Sequence, residues 1–184
     1  MTYTQRAVTL LSFIESMREH KSWCVETHIQ KGTYLLQELM GVPLGYQFIL
    51  YKHGPFSFDF KDELTAFMAD LLLVAKPLST YGPSILPGEN SQAFLERHPK
   101  TRELYKQQAE FIASRIGAKS VPELERLATA LLVTRNYLPG GSIQERAKKI
   151  NELKPHVPYA LAYDAVIEID RLVEEAQPAV CTSE

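Results

Sequence analysis

Apolar residues recur at helical spacing from the start of the chain. Ala7, Leu10, Leu11, Ile14 and Met17 predict a helix over residues 4–20, with Thr4 placed to cap it. The pattern resumes over 25–40 through Val25, Ile29, Gly32, Leu36 and Leu39, and Gly41 and Pro43 stop it. Lys21-Ser22-Trp23 lies between the two helices, and the single Trp is expected to anchor the core where the chain turns. Over 46–51 the period shortens to two. Tyr46, Phe48 and Leu50 alternate with Gln47, Ile49 and Tyr51, which predicts a strand buried on both faces.

The stretch YKHGPFSFDF, residues 51–60, follows. Gly54-Pro55 forces a turn, Ser57 is suited to cap a helix, and Asp59 suits its positive end. Phe60, Leu64, Phe67, Met68 and Leu71 then form one apolar helical face. Turn signals at Lys76-Pro77 and Tyr81-Gly82-Pro83 outline a hairpin with Ser84-Ile85-Leu86 as its returning arm. Pro87 to Ser91 marks a boundary. Beyond it the chain reads as helical. Segments at 91–97 and 101–116 end at Gly117, and capping boxes at Ser120/Glu123 and Ser142/Glu145 open two more helices. A last helix starts at Pro158. The expected class is mainly α (α+β), with a first region over 1–88, a helical region over 89–177 packed on it, and a flexible tail over 178–184.

The 184 residues are 45% hydrophobic and 23% charged, the balance of an ordinary globule with a sizeable core. A net charge of −2 excludes a chain-wide basic field, so nucleic acid would need a local patch. Cys24 and Cys181 stand far apart, which fits a reducing cytoplasm better than a disulfide framework. The N-terminal residues do not read as a leader, and no apolar run reaches the length of a membrane span.

Catalytic signatures are missing: no Gly-rich phosphate cradle, no nucleophile elbow, no HExxH and no CxxC. Gly140-Gly141 reads as a helix C-cap and turn. His20, Cys24 and His28 have i, i+4, i+8 spacing, but the bend at 21–23 separates them and no fourth ligand is evident. His53 beside its turn invites pairing with Asp59 or Asp62, yet no nucleophile is aimed at it. The cations at Arg97–Arg102 and at Arg146, Lys148, Lys149 and Lys154 read as solvated faces. No enzyme, no cofactor and no metal is the expectation.

Four pieces carry a resemblance: HIQKGTYLLQEL (28–39), FILYKHGPFSFDFKDEL (48–64), SVPELERLATALL (120–132) and AKKINELKPHV (147–157). Together they resemble the YwgA-like group of prokaryotic proteins and, more distantly, the Panacea-domain, SocA-like antitoxins. In those groups an LQKLxYLLQ helix leads to a strand, a YGPYS turn opens an acidic-apolar helix, and a KPH element lies near the C-terminus. Here Gly32 stands where a large apolar residue is usual, and Lys154-Pro155-His156 forms the last motif. The resemblance implies a winged-helix-like N-terminal region with a small β-hairpin, followed by a helical C-terminal part. It also implies a regulatory role through DNA or antitoxin-type partner binding, with no catalytic residues to carry over.

For DNA, the helix over 57–70 is badly charged: Lys61 alone faces Asp59, Asp62, Glu63 and Asp70. The expected contacts therefore come from Thr27, Gln30 and Lys31 on the preceding helix and from Lys76 and Tyr81 on the wing. The alternative is a protein-interaction module in which Asp59, Asp62 and Glu63 meet a basic partner. The partners expected are DNA or a protein, with a homodimer as the self-association alternative, and no membrane.

Overall fold

A computed structural model of the chain describes residues 1–78 and 82–180, the last three by backbone alone. Tyr81 and Cys181 lie outside the described residues, as does the end of the expected tail. Two helices open the fold, α1 (Tyr3–Glu19) and α2 (Glu26–Glu38). A short antiparallel hairpin follows, β1 (Ile49–Tyr51) against β2 (Gly54–Phe56), then α3 (Phe58–Ala69) and a second hairpin, β3 (Leu73–Lys76) against β4 (Ser84–Pro87). The rest is helical: α4 (Ser91–Glu96), α5 (Pro99–Leu104), α6 (Lys106–Ile116), α7 (Val121–Leu132), a π-helical turn (Val133–Tyr137), α8 (Ile143–Leu153) and α9 (Tyr159–Val180). This is the mainly α, α+β class that the periodicity predicts, and α9 continues three residues beyond the expected end at 177.

Local chemistry accounts for most of the boundaries. Ser57 caps α3 by accepting from the Phe60 amide, and the boxes at Ser120/Glu123 and Ser142/Glu145 both form. The α1 cap is Thr2 rather than Thr4, because Gln5 reaches back to complete a box from there. Three expectations are corrected. Trp23 is half exposed and does not anchor the core. Residues 46–48 do not pair, so the strand is only Ile49–Tyr51, and Ile49 and Tyr51 point outward instead of being buried. Finally, Gly54-Pro55-Phe56 is a strand in its own right, since Pro55 needs no ladder donor on an edge.

One continuous hydrophobic core runs through both halves of the chain. α1 and α2 lie against α6, α2 also packs on α7, and α7 packs on α9. Val25 bridges Ser84, which ties the start of α2 to the second hairpin. Arg6 makes a forked pair with Glu63, which also accepts from the Tyr46 hydroxyl, so α1 is pinned to α3. Arg146 forks onto Asp170 with both contacts at 2.6 Å and joins α8 to α9.

Gly32 sits where helices cross. A Cβ there would stand 2.7 Å from Phe13 Cζ and 3.3 Å from Ile116 Cδ1. Phe13 and Ile116 are fully buried, so neither can step aside. Gly32→Leu is expected to destabilise the protein by about 1–3 kcal/mol through overpacking. Urea denaturation of parent and variant measures it, and equal midpoints would mean that the crossing has room to spare.

Candidate functional site

The β1–β2 hairpin has three residues per strand and a two-residue turn, Lys52-His53. A hairpin this short is marginal in water. It is held from two elements by three side chains that reach its backbone or that of Ser57 just beyond it. From α2, Gln30 donates to Ser57 O and accepts from Ser57 N, both at 3.1 Å, as a neighbouring strand would. Lys31 Nζ donates to Pro55 O at 2.9 Å. From the loop after α8, Lys154 Nζ donates to Tyr51 O and, at 2.6 Å, to Lys52 O. Two turns along α2, Gln37 grips the backbone N–H and C=O of Tyr46 in the same manner, each at 2.9 Å. Gln30 and Gln37 are seven residues apart, so they share a helix face.

These contacts correct the expected nucleic-acid residues. Gln30 and Lys31 are buried, at 0% and 1% exposure, and their polar atoms are committed to the hairpin. Neither presents a group to a base edge. Thr27 is half-buried in the first turn of α2, and Lys76 is exposed at the end of β3. Of the expected partner residues, Asp59 and Asp62 are exposed, whereas Glu63 is taken up by Arg6 and Tyr46. His53 pairs with Glu125 Oε1 of α7 at 3.0 Å, not with Asp59 or Asp62. His20 meets Glu110, His28 meets Lys119 O, and Cys24 is a buried thiol, so the three do not converge. Among the described residues no group of three or more His, Cys, Asp or Glu is placed to hold a metal, and no helix is long and apolar enough to cross a membrane.

Gly54 is what lets the hairpin approach α7. Its φ is +86°, and a Cβ would lie 2.7 Å from Thr129 Oγ1 and 3.3 Å from Glu125 O. Beside it opens a cleft of about 350 Å³ between the hairpin turn, α7 and the segment from Ile150 to Leu161. Lys52, His53 and Gly54 are part of its lining, with Arg126, Lys154 and His156 from α7 and the segment after α8.

The other feature of the hairpin is its open surface. Tyr51, Phe56 and Phe58 stack edge and tilt on one another with centroids 5.0–5.6 Å apart. Ile49, Tyr51 and Phe58 are 51%, 44% and 50% exposed. Asp59 and Asp62 lie in the next turn of α3, and Lys61 between them faces Glu26 at 3.8 Å. A contiguous aromatic patch is unusual on a protein surface, and it coincides with the segment most elaborately pinned from behind.

Burial lowers the Lys31 ammonium from its ordinary 10.5 to about 8; Glu125 opposes the shift and the Lys154 charge adds to it. Lys154 is lowered too, by burial first, against the pull of Glu125. In the unfolded chain Lys31 holds its proton up to about pH 10.5. The unfolded state therefore binds more protons between pH 8 and 10.5, and stability rises with pH across that window. The burial cost is present in full below pH 8 and is relieved towards 10.5. Relative to Lys31→Met, the parent is expected to gain about 2–3 kcal/mol between pH 7 and 10. Paired urea melts at the two pH values check this, and a constant difference would mean that Lys31 is not a desolvated ammonium. Set beside known proteins, the chain matches no family model and no curated protein, so the site is read from its own geometry.

Proposed function

We propose that the protein is a non-enzymatic partner-binding module whose docking surface is the open face of the β1–β2 hairpin and the first turn of α3. The observation that carries this is the aromatic cluster of exposed Tyr51 and Phe58 with half-buried Phe56 between them and exposed Ile49 beside it, mounted on a hairpin that Gln30, Lys31 and Lys154 hold from inside. Rigid aromatic side chains lose little conformational entropy on binding and dominate interface hot spots. Fixing their backbone beforehand lowers the cost of association further. Asp59 and Asp62 are exposed on α3 just after Phe58, and the one cation between them, Lys61, faces Glu26, so the partner is a protein segment carrying apolar anchors and lysine or arginine.

Regulation through DNA is the weaker reading. Two of its five expected contacts, Gln30 and Lys31, are inside the protein, Tyr81 lies outside the described residues, and α3 is acidic. Among the described residues, Thr27 and Lys76 leave only one cation of the expected set on the surface, too small a basic footprint for phosphate-driven binding.

Display of random peptides against the parent, counter-selected on a Phe56→Ser/Phe58→Ser variant, tests the proposal. The expected peptides are rich in aromatic or branched apolar residues and in Lys or Arg. Their affinity should fall at least about tenfold on the double variant and weaken with added salt. Both substituted side chains are outside the core, so the variant should stay folded, its melt lowered only by the lost ring contacts. Peptides that bind parent and variant alike would overturn the proposal. So would salt-dependent, micromolar binding of duplex DNA by both proteins in fluorescence anisotropy.

A further inference from the structure

The cleft beside Gly54 has a chemistry that the docking surface does not use. Its floor is apolar, from Ile150, Val157 and Leu161. Its rim carries three cationic side chains, Lys52, Arg126 and Lys154, together with His53 and His156. The lining holds one carboxylate, Glu125, and His53 Nδ1 occupies it at 3.0 Å.

Some cations of this chain are tied to acids: Arg6, Arg102, Arg115, Lys119 and Arg146 each contact a carboxylate within 3.0 Å. The cleft's three cations are not tied in this way, although Glu125 acts on Lys154 through space. Lys154 donates to two carbonyl oxygens, and neither Lys52 nor Arg126 makes an ion pair or hydrogen bond among the described residues. Three cations around one apolar hollow, in a chain of net charge −2, form a local positive focus. Like charges so placed repel one another until an anion enters. A volume of about 350 Å³ lies in the range of small-molecule pockets, which combine apolar walls with a few converging polar groups.

We propose that this cleft binds a small amphipathic anion, with a carboxylate or phosphate head between Arg126, Lys52 and Lys154 and an apolar body on Ile150, Val157 and Leu161. The planar Arg126 guanidinium can fork onto either head group, and the lysines supply point charges. The binding is non-covalent and stands apart from the partner-docking proposal.

Methyl NMR of the full chain, labelled at Ile, Val and Leu, tests it with five probes. Benzoate, octanoate and phenyl phosphate are the anions; benzyl alcohol and benzylamine are the neutral and cationic controls. The three anions should shift the Val157 and Leu161 methyls saturably below about 10 mM, at least about tenfold more tightly than either control. A preference between carboxylate and phosphate supports the site and assigns its head group. Lys52→Glu/Arg126→Glu should weaken anion binding at least about tenfold. Lys154 is left alone because it holds the hairpin. Leu161→Trp, at a side chain 41% exposed, should fill the hollow and block the anions with every charge kept. Controls that bind as well as the anions overturn the proposal, as do anions that shift only Ile49 in the aromatic patch, or binding that survives Leu161→Trp.

Discussion

Everything around the β1–β2 hairpin depends on where its backbone carbonyls find donors. Six paired residues cannot hold a hairpin in water, and a Pro in β2 removes one ladder donor. The carbonyls of Tyr51, Lys52, Pro55 and Ser57 are instead satisfied by Lys154, Lys31 and Gln30. Desolvating an ammonium is costly unless every donor finds an acceptor. Lys31 shows that cost directly in its lowered pKa. The protein tolerates it because each buried donor satisfies a carbonyl that would otherwise be orphaned, and removing either side would leave a buried group unpaired.

The grip joins segments that are remote in sequence. Lys31 reaches across 24 residues to Pro55, and Lys154 reaches back 103 residues to Tyr51. The hairpin's backbone partners therefore come from α2 and from the end of α8, which both pack on α7. Gly54 belongs to the same constraint, since only a residue without a Cβ lets β2 close onto Thr129 and Glu125. The single core beneath, with Gly32 admitting Phe13 and Ile116, supplies the rigid frame from which these side chains reach.

This logic explains what could be read in the sequence and what could not. Helices were legible because their apolar positions repeat and their caps are local: Ser57, Ser120 and Ser142 each act within three residues of themselves. The β3–β4 hairpin was legible from its turn residues. The site was not. Gln30 and Lys31 look like surface residues because polarity is the only local signal they carry, and their partners lie a hairpin away. The period-two run at 46–51 signalled a strand but not its outward face, since one-sided burial depends on what packs behind it. β2 has no alternation to detect. Residues from four remote segments meet around the hairpin: the Gln30-Lys31 pair, the Gly-Pro-Phe-Ser corner, Glu125 and Lys154.

That meeting also separates the roles of the two faces. In the hairpin register Tyr51 pairs directly with Gly54. Tyr51 belongs to the aromatic surface, and Gly54 lines the cleft. The patch and the cleft are thus neighbours across one β-pair, held by one set of buried donors. A core packed to interior density does not deform smoothly, so displacing Gly54 from α7 cannot leave the Tyr51 backbone in place. Lys154 makes the link tighter, because the ammonium that borders the cleft is the one bonded to the Tyr51 carbonyl. Lys154 thus contributes both to the charge at the cleft and to the backbone hold behind the aromatic face.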